Sequence, residues 1–106
     1  MAEITNSDAC ETMAQVRAGV DDVDRRLVAL LAERFGYMRA AARIKPDRAL
    51  VRDEARKAQV IDNAVAEAGT LNLPADVIAQ MWERLVEGSI AYEMATFDQL
   101  RGTAAD

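Results

Sequence analysis

Between residues 12 and 45 the chain carries no proline, and its apolar side chains fall at Val16, Val20, Val23, Leu27 and Leu30. The steps alternate between four and three, the spacing that keeps one face of a helix turned toward a partner. A single long amphipathic helix is predicted. Continued at the same interval, the seam reaches Arg34, then Tyr37 or Met38, Ala41 and finally Lys45. Two cations therefore stand where hydrocarbon is expected. They are eleven residues apart (45 minus 34), and eleven steps of 100° leave a remainder of about 20°, which places them on nearly one meridian of the helix. Burying an unpaired charge is costly, so an anionic group is expected between them.

Pro46 removes a backbone donor and disfavours helix at the residue before it, so the long helix is expected to stop there, followed by the polar PDRALVRD. Asp53 is a good N-cap for a second, alanine-rich helix, DEARKAQVIDNAVAEAG, with an apolar side at Ala58, Ile61, Ala64, Val65 and Ala68 and with Gly69 as its expected C-cap. Pro74 suits the first turn of a third helix, Asp76 favours its positive end, and the helix is expected to run to about Leu100. Its inward stripe reads Ile78, Met81, Trp82, Leu85, Val86, Ser89, Glu93, Phe97 and Leu100. Ser89 and Glu93, four apart on one face, interrupt that stripe with polar groups. The expected fold class is all-α, three helices per chain with a long first helix, in one domain spanning residues 1–106, with the first eleven residues and the tail RGTAAD disordered.

About 34 residues at 1.5 Å each make a rod of about 50 Å, whereas a compact domain of this size has a radius of gyration of about 13 Å. A rod that overhangs its own domain along an apolar seam calls for a second copy of the chain, so a homodimer is expected. Composition agrees with helices: of 106 residues 51% are hydrophobic and 5% aromatic, with five Gly and two Pro. The net charge of −5 and a pI near 4.7 argue against nucleic-acid binding. No basic, apolar leader and no run of eighteen apolar residues is present, so neither a signal peptide nor a membrane partner is expected and a cytoplasmic location is. Histidine is absent and Cys10 is the one cysteine. That removes imidazole catalysis and the usual Cys/His zinc sites, so no metal or other cofactor is expected.

Each polar interruption has a plain structural explanation. A lone Arg34 on an apolar face commonly lays its methylenes along the surface with its head in water, Lys45 suits a helix C-terminus, and Glu93 would serve as a partner for either. Arg48, Arg52 and Arg56 would make a solvated face, or a pocket for a small polyanion beneath a lid loop. Arg17 lies seventeen residues before Arg34 (34 minus 17), about 25 Å along the axis, and reaches the same pocket only from a partner chain.

Taken together, VRAGVDDVDRRLVALLAERFGYMRAAARIK, VRDEAR and SIAYE resemble the all-helical chorismate mutases and the related isochorismate pyruvate lyases, over residues 16–93. The resemblance implies an intertwined homodimer with two equivalent sites. Arg34 and the partner subunit's Arg17 would clamp the carboxylates of chorismate, while Lys45 would bind a carboxylate and the ether oxygen. It also implies that Arg56 lies beside a substrate carboxylate, Asp53 near the ring hydroxyl, and Ser89 against a carboxylate or the ring. Glu93 takes the place of a Gln or Glu that donates to the ether oxygen, which requires the carboxyl to be protonated. Many mutases place a Glu after the Arg that Arg56 matches, where it binds the ring hydroxyl; here that residue is Lys57.

The implied reaction is the pericyclic rearrangement of chorismate to prephenate, which needs substrate preorganisation and donors at the ether oxygen but no nucleophile. Lys45, Glu93 and Arg34 would be its catalytic residues. The alternatives are isochorismate pyruvate lyase, giving salicylate and pyruvate, and a non-catalytic helical module that dimerises or binds a metabolite.

Overall fold

The computed structural model describes residues 3–102. Among them are three α-helices, α1 (Met13–Ile44), α2 (Glu54–Thr70) and α3 (Ala75–Arg101), two short 3-10 turns at Ser7–Ala9 and Arg48–Leu50, and no strand. The long first helix is the largest of these at 32 residues. The described chain groups into two parts, one up to Gly36 and one from Tyr37 onward.

In the first part, the start of α1 is set by a reciprocal cap. The Thr12 hydroxyl accepts from the Gln15 amide at 3.2 Å, and the Gln15 side-chain oxygen accepts from the amides of Glu11 and Thr12 at 2.6 and 3.1 Å. These bonds satisfy donors that the first helical turn leaves unpaired. Asn6 caps the 3-10 turn at Ser7–Ala9. Val16, Val20, Val23, Leu27 and Leu30 all remain exposed, from 38% at Val16 to 60% at Leu30. A groove of about 630 Å³ beside the first three of them is closed on its other side by residues 4–7 and Cys10.

In the second part, α2 packs on α3, and Ala42, Val51 and Phe97 form a buried cluster with Ile90 and Met94 against it. The segment after Pro46 is more ordered than its polar composition suggests. Asp47 caps the second 3-10 turn through the Ala49 amide at 2.9 Å, Arg48 grips Asp98 with two bonds of 2.7 and 3.1 Å, and Val51 is thereby delivered into the core. An Arg–carboxylate fork of this kind fixes orientation as well as distance.

Asp53 caps α2 as expected, accepting from the Arg56 amide at 3.0 Å. Gly69 does not end the helix. It lies within α2, and the left-handed residue is Asn72 at φ 58°. Leu73 donates to the Ala68 carbonyl at 2.9 Å and Asn72 to that of Gly69 at 3.3 Å, the paired bonds of a Schellman turn. Asparagine tolerates that conformation better than other side chains do. At the far end of α3, Gly102 takes up φ 69° and closes the helix; Arg101 is its last residue, so of the tail expected to be disordered only residues 103–106 lie outside the described chain, as do residues 1 and 2.

The predicted stripe on α3 narrows in the structure to Val86, Ser89, Glu93 and Phe97, while Met81 and Leu100 are exposed. Phe97 is the largest of the cluster's buried side chains, so Phe97→Ala is expected to lower the unfolding free energy by about 3–5 kcal/mol, read from urea denaturation followed by circular dichroism.

Candidate active site

The second part of the chain brings Lys45 and Glu93 together. Lys45 is the first residue beyond α1, and its amide still donates to the Ala41 carbonyl at 2.9 Å. Its ammonium lies 2.7 Å from the Glu93 carboxylate, whose side chain is 6% exposed. The contact is an ion pair between a half-buried ammonium and a buried carboxylate. One turn earlier on α3, the buried Ser89 hydroxyl donates to the Leu85 carbonyl at 2.7 Å. The arrangement offers a carboxyl and a hydroxyl on adjacent turns of α3, with an ammonium against the carboxyl.

The other expected residues are distributed differently. Arg34 is half-buried and Arg17 exposed, both on the stretch of α1 in the first part of the chain. Arg56 sits in the first turn of α2, where its guanidinium donates to Gln59 at 2.6 Å, and Asp53 spends one oxygen on the cap of that helix. Arg48 and Arg52 do not form an open anion pocket. Arg48 is engaged by Asp98, and Arg52 donates to both oxygens of Glu87 at 3.1 and 2.8 Å and to Glu54 at 3.0 Å.

Lys57 completes that second network. Its ammonium lies 2.8 Å from Glu87 and 3.0 Å from Glu83, one helical turn apart on α3. It ties the start of α2 to α3. Bonds from Arg52 first, and from Lys57 second, hold the Glu87 carboxyl down at about 2. The same partners raise Arg52 and Lys57 above their ordinary values, Glu87 being the larger influence on each. Sequence reasoning missed this network, although Glu83 and Glu87 at a four-residue spacing on one flank of α3 were its visible signal. It also missed the bond from Arg39 to the Tyr92 hydroxyl at 2.9 Å and the bonds made by Arg101. Among the described residues no group of His, Cys, Asp and Glu could hold a metal ion, and no helix is long and apolar enough to cross a membrane.

The family model for chorismate mutase type II matches residues 16–94, most of the chain. The chain belongs to that family: it is an enzyme of the chorismate mutase family, with a small-molecule substrate. It is also similar to the isochorismate pyruvate lyase of Pseudomonas aeruginosa, with 26% identity over 95 residues that cover 90% of this chain and 94% of the relative.

Because the Glu87 carboxyl is depressed from 4.5 to about 2, its bonds add stability that is complete above its unfolded value and is lost as the pH falls from there toward 2. Melting curves between pH 5 and pH 2 are therefore expected to fall more steeply for the unmodified chain than for Glu87→Gln, which lacks this titration.

Proposed function

We propose that the protein is a homodimeric chorismate mutase, converting chorismate to prephenate. The observation that carries the reading is the Lys45 ammonium held 2.7 Å from the buried Glu93 carboxylate, at the positions where the family resemblance puts the two groups facing the ether oxygen. In the rearrangement the C–O ether bond breaks as a C–C bond forms, and negative charge grows on the departing oxygen. A donor already in place stabilises that charge without reorganising at the moment of reaction. Lys45 is that donor. Glu93 holds Lys45 in place when ionised and donates to the same oxygen when protonated.

Arg34 and the partner subunit's Arg17 bind the two carboxylates and keep the enolpyruvyl arm over the ring, which lowers the barrier by fixing a near-attack geometry. Arg56 adds a contact to a carboxylate, Ser89 contacts a carboxylate or the ring, and the second oxygen of Asp53 lies toward the ring hydroxyl. The exposed row from Val16 to Leu30 supports the dimer, since a second copy of the same helix would cover it and bring Arg17 across. The family match spans both parts of the chain and supports their working as one domain.

The lyase reading has its own support. Lys57 stands where many mutases bind the ring hydroxyl, and its ammonium is turned to Glu83 and Glu87; a relative carrying the lyase name covers nearly the whole chain. Incubation with chorismate and, separately, isochorismate decides between them. Prephenate from chorismate is the expected product, with Lys45→Ala, Arg34→Ala and Arg17→Ala each lowering turnover by about 10² to 10³. Salicylate and pyruvate from isochorismate, with little prephenate, would transfer the assignment to the lyase, and no product from either would overturn it.

A further inference from the structure

The end of α1 has a defect built into its sequence. In a continuing helix the carbonyl of Ala42 accepts from the amide four residues on, and that residue is Pro46, which has none. Ala42 is completely buried with Arg101 in place, so its carbonyl depends on a donor from the protein. Left alone it would be an unpaired acceptor in the core, which is costly. Arg101 fills the gap from the last position of α3: one guanidinium nitrogen donates to the Ala42 carbonyl at 2.9 Å and the other to the Lys45 carbonyl at 2.7 Å. The guanidinium carbon lies over the Phe97 ring, 3.6 Å from its centre, and this cation–π contact helps hold the fork in place.

We propose that Arg101 is a positioning residue for Lys45. It holds the backbone of Lys45 while Glu93 holds the ammonium, so the side chain is fixed at both ends. Lysine lacks the planar fork that meets the two carbonyls from two separate nitrogens, so it is expected to be a poorer substitute. The role in turnover rests on the reading of Lys45 as the ether-oxygen donor; the clamping of the α1 terminus does not.

The test compares Arg101→Gln, Arg101→Lys and the double variant Pro46→Ala/Arg101→Gln with the unmodified dimer and with Lys45→Ala. Two quantities are read: kcat against KM for chorismate, and hydrogen exchange at the Lys45 amide, which is independent of activity. Arg101→Gln is expected to lower kcat by about ten- to a hundredfold, with a smaller change in KM and faster exchange at Lys45. Arg101→Lys should fall between. Pro46→Ala returns an amide to residue 46, so the double variant should recover part of both losses, which an Arg101 effect unrelated to the α1 terminus would not do. Should Arg101→Gln fail to fold, the lysine and double variants carry the same comparison.

Unchanged exchange and unchanged kcat in the Arg101 variants, with Lys45→Ala inactive, would overturn the proposal. A loss fully restored by lysine and untouched by Pro46→Ala would also overturn it, because charge alone would then suffice. Faster exchange without any effect of Lys45→Ala on turnover would instead overturn the assignment of Lys45 and retain the clamp.

Discussion

A carboxylate placed in the interior of a small helical protein is stable only if a cation or a set of donors meets it there. Glu93 is such a carboxylate, and Lys45 is the cation that meets it, at 2.7 Å. Much of the second part of the chain can be read as the means of keeping that pair together. Pro46 stops α1 at Ile44, just before Lys45, the Arg48–Asp98 fork and buried Val51 tie the following segment to the core, and Arg101 holds the carbonyl of Lys45 itself. Removing one partner would leave the other charge unmet, so the pair resists being lost one residue at a time. A charge fixed in place before the reaction is also what electrostatic catalysis needs.

The same α3 helix carries two polar systems on different flanks. Ser89 and Glu93 lie inward, while Glu83 and Glu87 receive Lys57 and Arg52 from the start of α2. The outer network orders the segment that bears Asp53 and Arg56, and it accounts for a lysine at a place where a mutase would often carry an acid. An acid at residue 57 would face Glu83 and Glu87 with like charge. Substituting it alone would therefore disturb the docking of α2 as well as any recognition of a ring hydroxyl.

Helix existence and type were legible in the sequence because each helix shows a three-and-four period bounded by proline or a capping side chain. That Glu93 would meet a cation of α1 was legible for a related reason, since charges that interrupt two apolar stripes have to be reconciled with each other, but the choice of Lys45 over Arg34 was left open. The helix ends were less legible. Gly69 looked like the stop of α2, yet Asn72 takes the left-handed position, because a Schellman turn needs one such residue past the last helical turn and asparagine can supply it. Arg101 looked like part of a polar tail. Its value comes from a missing amide fifty-five residues earlier in the chain (101 minus 46), and no local pattern reports a partner at that separation. Arg48 and Arg52 looked like ligands for an anion because their acidic partners, Asp98 and Glu87, lie on a distant helix.

The proposed active site is assembled from two chains, with Lys45 and Glu93 from one and Arg17 from the other. Mixing Arg17→Ala and Lys45→Ala chains after unfolding tests it directly. Each variant alone should be inactive, but a mixed dimer contains one site with an unmodified Lys45 and an unmodified partner Arg17. Random pairing should therefore restore about a quarter of the unmodified activity. A mixture as inactive as its components, with mixed dimers shown to form, would contradict a shared site.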